Sequence, residues 1–124
     1  MQLNVHVPSE NQFNKYTDES VTIKDQEYFN DIIIFNTTVK NVNPIYNISD
    51  LDLNYLSEII NSKPDLVIIG TGKKIIYPKM EVLINIQNNG IGIEIMTIKS
   101  LCRTFNFLVS ENRKIAAIVL FNIN

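Results

Sequence analysis

The second half of the chain alternates between apolar runs and amphipathic stretches in a regular order. Residues 66–69 are apolar on both faces and predict a buried strand, and further strands are predicted at 92–96 and 115–121. Between them, amphipathic patterns predict one helix over 78–88 and another over 98–111. With spacers this short, the order strand, helix, strand, helix, strand predicts a βαβαβ unit.

The first half of the chain has shorter and less regular apolar runs. Residues 21–23 and the apolar run at 31–35 predict strands, and 37–42 predict a strand that returns antiparallel. Residues 41–47 contain Pro44 and three asparagines, which predict a loop.

A helix is predicted from Asp52, which can cap it, to about Ser62, with Pro64 ending it. The pattern therefore predicts a single α/β domain over residues 1–124. Its mixed sheet combines the C-terminal βαβαβ unit with antiparallel N-terminal strands. Residues 1–15 are polar and are predicted to be loosely ordered.

Composition narrows the function classes. The chain has 124 residues, 45% of them hydrophobic, which indicates a globular protein. Its net charge of −2 supplies no positive electrostatic field that would attract nucleic acid. A single cysteine and a single histidine exclude an internal disulfide and argue against a metal site or a serine-hydrolase triad. The longest apolar run is residues 115–121, whereas a membrane span needs about 20 residues. We therefore expect a cytoplasmic protein with no membrane span, no metal and no cofactor.

A glycine turn follows the first strand of the βαβαβ unit. Gly70, Thr71 and Gly72 lack the third glycine of a dinucleotide fingerprint, and Lys73 follows directly without a phosphate-binding loop. A structural turn is one interpretation. The other is a small-anion or small-ligand site, because the carboxyl ends of parallel strands would bring the turn and Lys73 close to Thr97.

The helix predicted over 98–111 has one apolar stripe and one aromatic residue outside it. The stripe comprises Ile98, Leu101, Cys102, Phe105, Leu108 and Val109. Phe107 lies opposite, so it is covered by another part of the chain, singly exposed, or an anchor for a partner protein or a second copy. In the last case Arg103 and Asn106 form its polar rim. Cys102 faces the core and is predicted to be an unactivated thiol.

Three further polar residues are candidates for structural roles, namely Glu94, Glu111 and Arg113. Glu94 lies between two isoleucines of a predicted strand, so it is paired with an arginine, exposed at a sheet edge, a catalytic carboxylate, or in contact with a ligand. Arg103 and Arg113 are its candidate partners. We expect at least one of Arg103, Asn106, Glu111 and Arg113 to tie the helix to adjacent backbone or to Glu94.

Several short motifs carry a family resemblance. The run 102–108 with Glu111 and Arg113, the run 64–66 leading to 69–72, and Ala116-Ala117 in the last strand resemble the Mth-type domain family of unknown function over roughly residues 16–121. The chain departs from the family at the cap before Ile98, at Leu101 and at Asn112. That family includes the mitochondrial respiratory complex I assembly factor 3 and the adipogenesis-associated Mth-domain protein.

The resemblance implies a compact three-layer α/β domain and a non-enzymatic role in protein interaction or assembly. The partners it implies are respiratory complex subunits or another assembly factor, which would hold the protein at the periphery of the inner membrane. A homo-oligomer is a further expectation. The alternative is a small-anion or small-ligand-binding protein, or an unrecognised enzyme, that uses the Gly70–Gly72 sheet edge. The sequence leaves open whether the protein is an enzyme.

Overall fold

A computed structural model describes residues 12–35 and 38–124 of the chain. The predicted features that involve residues 1–11, 36 and 37 lie outside the described residues. The strands are β1 (Phe13–Tyr16), β2 (Val21–Ile23), β3 (Gln26–Tyr28), β4 (Ile32–Phe35), β5 (Thr38–Asn41), β6 (Leu66–Thr71), β7 (Gly92–Met96) and β8 (Ile115–Leu120). The helices are a 3₁₀ turn (Ile48–Asp50), α1 (Ser57–Ser62), α2 (Met80–Asn88) and α3 (Ile98–Ser110).

The main sheet has five strands in the order β5-β4-β8-β6-β7. Strands β7 and β8 both run parallel to β6, with Gly70 beside Met96 and Val119 in the register, which confirms the predicted βαβαβ unit. Strand β4 pairs antiparallel with β8 and with β5, as expected for the N-terminal strands. A second, antiparallel sheet contains β1, β2 and β3 in that order.

The main sheet is covered on both faces, which gives three layers. Alternate side chains of one strand point to opposite faces, so Ile118 of β8 packs toward α1 and α2 while Ala117 and Val119 pack toward α3 and the small sheet. All six residues of β8 are buried. Strands buried on both faces read as continuous apolar runs, which is why β4, β6 and β8 could be predicted from the sequence.

The N-terminal part of the fold contains more strands than expected from its polar composition. Strand β1 begins at Phe13, within the residues predicted to be loosely ordered. Strands β2 and β3 are joined by Lys24 and Asp25, both with positive φ, a two-residue turn whose twist suits a hairpin. Strand β3 was not predicted because its three residues are mostly polar and exposed.

The first two helices begin later than expected. Asp52 caps a turn by accepting a hydrogen bond from the Tyr55 backbone N–H (2.9 Å), but α1 itself begins at Ser57. Pro78 precedes α2, because Lys79 is extended (ψ 144°) and the helix begins at Met80. The other ends follow the predictions: Thr97 caps α3 and Gly90 has positive φ after α2.

Candidate functional site

The glycine turn and the start of α3 meet at the carboxyl edge of the main sheet. The backbone N–H of Ile98 donates to the carbonyl of Gly72 (2.9 Å), which fixes Thr97 beside the turn. Gly70 packs closely on α3, because a Cβ there would lie 2.9 Å from the Leu101 Cδ1 and the leucine side chain would have to shift. Gly72 has a φ of +71°, which other residues adopt only with strain. These residues therefore come together as the predicted topology requires.

Thr71 lies inside this turn and is 1% exposed. Its hydroxyl donates to the carbonyl of Lys74 (2.8 Å) and accepts from the backbone N–H of Ile76 (2.9 Å). Both functions of the hydroxyl are thus used within the protein. The side chain of Thr71 therefore holds the following segment in place, and its hydroxyl proton is not available to a ligand.

An open cleft of about 530 Å³ adjoins the turn. Its lining residues come from loops next to the strands of the small sheet, from the glycine turn and from the C-terminal segment: Asp18, Glu19, Phe29, Thr71, Gly72, Lys73, Lys74, Phe121, Asn122 and Ile123. Nearby, the Lys99 ammonium lies 3.9 Å from the Asp18 carboxylate. The cleft thus carries charges of both signs, and its lysines and carboxylates face a shared, solvated space.

The described part of the chain contains no group of three or more His, Cys, Asp or Glu side chains that could hold a metal ion. Glu94 lies on β7, an edge strand of the main sheet, and its side chain is exposed. Glu111 and Arg113 are exposed as well, and no ion pair joins any of these three within residues 12–35 and 38–124. Glu94 therefore occupies the exposed edge position, which was one of the alternatives for it.

Of the three residues of α3 that were predicted to form a partner surface, two are exposed and one is bonded within the protein. Phe107 is 62% exposed, and Arg103, one helical turn before it, is exposed too. Asn106 is engaged within the protein: its Oδ1 accepts from the Phe13 N–H (2.7 Å), and its Nδ2 donates to the Phe13 carbonyl (2.9 Å). Asn106 thus ties α3 to β1, as expected for one of the polar residues of this helix, and its amide is not free for a partner.

Cys102 lies on the buried stripe of α3 and has no exposed surface. Burial raises the pKa of its thiol to about 12, although the nearby Arg103 guanidinium acts in the opposite direction. Since the thiolate is the reactive form of cysteine, this side chain serves as a small apolar core residue.

Native protein is therefore expected not to react with a thiol reagent at Cys102, even when the buffer is raised to about pH 9, where an ordinary thiol is mostly ionised. The measurement is the rate of colour release from a disulfide reagent before and after denaturation with guanidinium chloride. The Ser110→Cys variant, with a thiol at an exposed position of the same helix, supplies the control. Rapid reaction of native wild type would contradict the buried, unactivated state.

Sequence reasoning missed a buried polar residue, Asp31, just before β4. Its carboxylate accepts hydrogen bonds from the backbone N–H groups of Ile45 (2.7 Å) and Phe121 (2.9 Å), and its carbonyl accepts from Val42 (3.2 Å). The pKa of the Tyr55 phenol is raised by burial and by the Asp31 carboxylate, and the buried Tyr55 hydroxyl has no hydrogen-bond partner among the described residues. Asp31 therefore joins the ends of three chain segments.

The three-layer arrangement defines an α/β domain of the Mth938-like type. A Bordetella pertussis protein described as a Mth938-like domain, solved by NMR in solution, superposes with a TM-score of 0.79 over 100% of this chain and 94% of its own, at 17% identity. The family model described as "Protein of unknown function (DUF498/DUF598)" matches residues 13–120. The chain belongs to this family, as its motifs indicated.

Two curated relatives carry more specific descriptions. A "13 kDa major membrane protein" of Francisella tularensis subsp. holarctica is 28% identical over 109 residues, which is 87% of this chain and 89% of that protein. The NADH dehydrogenase [ubiquinone] 1 alpha subcomplex assembly factor 3 of Xenopus tropicalis is 30% identical over 73 residues, 57% of this chain. That match spans only 40% of the assembly factor. In the part of this chain that the structure describes, no helix is long and apolar enough to cross a membrane.

Proposed function

We propose that this chain is an assembly-factor-like protein that acts by binding other proteins and not by catalysis. The observation that carries the proposal is the 30% identity to assembly factor 3 over 73 residues. Its partners are respiratory complex subunits or another assembly factor. It acts in the cytoplasm and is held at the inner membrane through those partners.

Phe107 and Arg103 are the residues that we assign to the partner interface. They lie four residues apart on α3, so they share one side of the helix, and both are exposed. Aromatic and arginine side chains are the ones most often found as energetic anchors of protein interfaces. Asn106 supports this surface indirectly, because its two hydrogen bonds to Phe13 hold α3 against β1.

The Phe107→Ser variant is expected to recover its partner proteins about 30-fold less efficiently than wild type, which corresponds to the loss of an interface anchor worth about 2 kcal/mol. The measurement is affinity purification of the tagged chain from its native cells, with quantification of every co-purifying protein. Tyr46→Ser is the matched control, since Tyr46 is 60% exposed and lies in another part of the fold. Comparable thermal unfolding of all three proteins shows that the fold is intact.

Two results would contradict the interface. Equal recovery of the partners by wild type and Phe107→Ser removes Phe107 as an anchor, and an equal loss for Tyr46→Ser shows that the effect is not specific to α3. The same samples test self-association. If the partner is a second copy, wild type should have the solution mass of an oligomer and Phe107→Ser that of a monomer. Turnover of a metabolite by the purified chain alone would contradict a non-enzymatic role.

A further inference from the structure

The connection from β6 into α2 presents lysines and large apolar side chains to solvent. We refer to residues 73–80 as the basic-apolar segment. Within it, Ile76 and Pro78 turn inward, whereas Ile75 and Tyr77 are 47% and 66% exposed. This alternation is that of an extended chain with one face against the protein. The exposed side chains of the segment are Lys73, Lys74, Ile75, Tyr77, Lys79 and Met80.

The fold holds this segment in its outward-facing arrangement. The buried Thr71 hydroxyl bonds to the Lys74 carbonyl on one side of Ile75 and to the Ile76 N–H on the other. These two bonds fix the backbone around Ile75 against the end of β6. Ile75 is therefore exposed in a loop that hydrogen bonds hold in position.

Helix α2 extends the apolar surface. Met80 and Ile84 lie four residues apart on one side of the helix and are 68% and 48% exposed, while Val82 and Ile86 are buried against the main sheet. Helix α2 thus has a second apolar side, which lies opposite the one that packs on the domain. A contiguous stretch of ten residues, 75–84, carries four of the large exposed apolar side chains of the described chain.

We propose that the basic-apolar segment and the exposed side of α2 dock on an anionic lipid surface. The segment carries three lysines and no acidic residue, although the chain as a whole has a net charge of −2, so its charge is complementary to anionic headgroups. Isoleucine and methionine side chains enter the acyl boundary, and tyrosine is favoured at the level of the headgroups. This proposal is independent of the proposed function, which concerns α3.

The basic residues favour a lipid surface over a protein interface. Tyrosine and methionine are also enriched in protein interfaces, but lysine is depleted there and arginine enriched, and the basic-apolar segment contains three lysines and no arginine. Glu81 follows the segment, and Asp18 and Glu19 share the cleft with two of the lysines, so the attraction is moderated and the apolar side chains are needed as well. Binding is expected to be reversible and sensitive to salt.

The chain contains no tryptophan, so Tyr77→Trp creates a single fluorescent reporter in the middle of the surface. With vesicles of phosphatidylglycerol and phosphatidylcholine, its emission is expected to shift to the blue and to be quenched by brominated acyl chains. Vesicles of phosphatidylcholine alone should leave it unchanged. Phe107→Trp is the matched control: it places the reporter at a similarly exposed aromatic position near the C-terminal end of α3, whose first residue lies beside the glycine turn, and its emission should not change.

A charge variant tests the lysines. Replacing Lys73, Lys74 and Lys79 together by glutamine is expected to lower partitioning to anionic vesicles about 100-fold, because each lysine near such a surface contributes about a factor of five. The matched control removes three positive charges, Lys63, Arg113 and Lys114, near the amino ends of β6 and β8 at the opposite end of the sheet. Sedimentation with vesicles at low salt measures both variants.

Three outcomes would overturn the proposal. They are an unchanged Tyr77→Trp emission with anionic vesicles, equal binding to anionic and neutral vesicles, and an equal loss of binding in the two charge variants. If the emission stays unchanged with vesicles but shifts with a purified protein partner, the surface is a protein interface. All substituted side chains are exposed, so thermal unfolding should stay close to that of wild type in every variant, although the control charge variant also loses the Lys114 hydrogen bond to the Ser62 carbonyl (2.6 Å).

Discussion

Replacing Asp31 by alanine is expected to lower the free energy of unfolding by about 3 kcal/mol, because two backbone N–H groups lose a charged acceptor. The Asp31 side chain is fully buried, and it holds the N–H groups of Ile45 and Phe121. Alanine supplies no acceptor, and the buried site excludes most of the water that could replace it. Total stabilities are about 5–15 kcal/mol, so this is a large effect.

Urea denaturation followed by circular dichroism measures the change. Asp50→Ala is the control, since Asp50 is exposed and such substitutions normally alter stability by less than about 0.5 kcal/mol. Asp31→Asn should fall between the two, because an amide oxygen can accept one of the two bonds while the amide nitrogen faces the other donor. Stabilities of Asp31→Ala and Asp50→Ala that agree would contradict the structural role of Asp31.

The same variant gives a pH test with a definite sign. Burial raises the pKa of the Asp31 carboxyl above its ordinary 3.8, while the N–H groups of Ile45 and Phe121 act in the opposite direction. Because the folded-state pKa exceeds the unfolded one, the stability linked to this proton is fully present below about pH 3.8 and is lost as the pH rises through the folded pKa. The stability difference between wild type and Asp31→Ala is therefore expected to be larger in mildly acidic buffer than at neutral pH.

The parts of the fold that the sequence predicts are those whose pattern is set by burial on both faces. Strands β4 and β8 are apolar throughout and β6 is apolar over residues 66–69, and α3 has a stripe that includes its observed buried residues Ile98, Leu101, Cys102 and Phe105. In the small sheet only β2 was predicted, since Val21 and Ile23 are apolar and buried. Strands β1 and β3 are short and mostly polar, and β3 buries none of its residues, so no local pattern indicates them.

Some features of the candidate sites could likewise be predicted from the sequence, and others could not. The meeting of Gly72 and Thr97 follows from parallel strand order alone, because both come directly after neighbouring strands. Asp31 looks from the sequence like a polar residue that starts a strand, and only the approach of two distant segments makes it a buried acceptor. The three lysines and the apolar residues of the basic-apolar segment are visible in the sequence, but only the structure shows which of its side chains are exposed.

The largest loss of stability is expected for Phe105→Ala, at about 3–5 kcal/mol, the usual cost of truncating a buried phenylalanine. Phe105 is 2% exposed, and its ring meets that of Phe13 edge to face, with centroids 5.3 Å apart. Since Phe13 opens β1, the truncation removes a contact between α3 and the small sheet in addition to leaving a cavity above the main sheet. The neighbouring Asn106 bonds to Phe13 cannot replace this contact, because they hold only the backbone of β1.

Phe107→Ala provides a matched control two residues further along the same helix. It removes the same group from a side chain that is 62% exposed, so the free energy of unfolding should change by less than about 0.5 kcal/mol. Urea denaturation of both variants gives the two values, and an unchanged m-value shows that each still unfolds as one unit. Equal losses would mean that Phe107 is covered in solution by part of the chain or by a second copy. If both stabilities equalled that of wild type, α3 could not be what joins the two sheets.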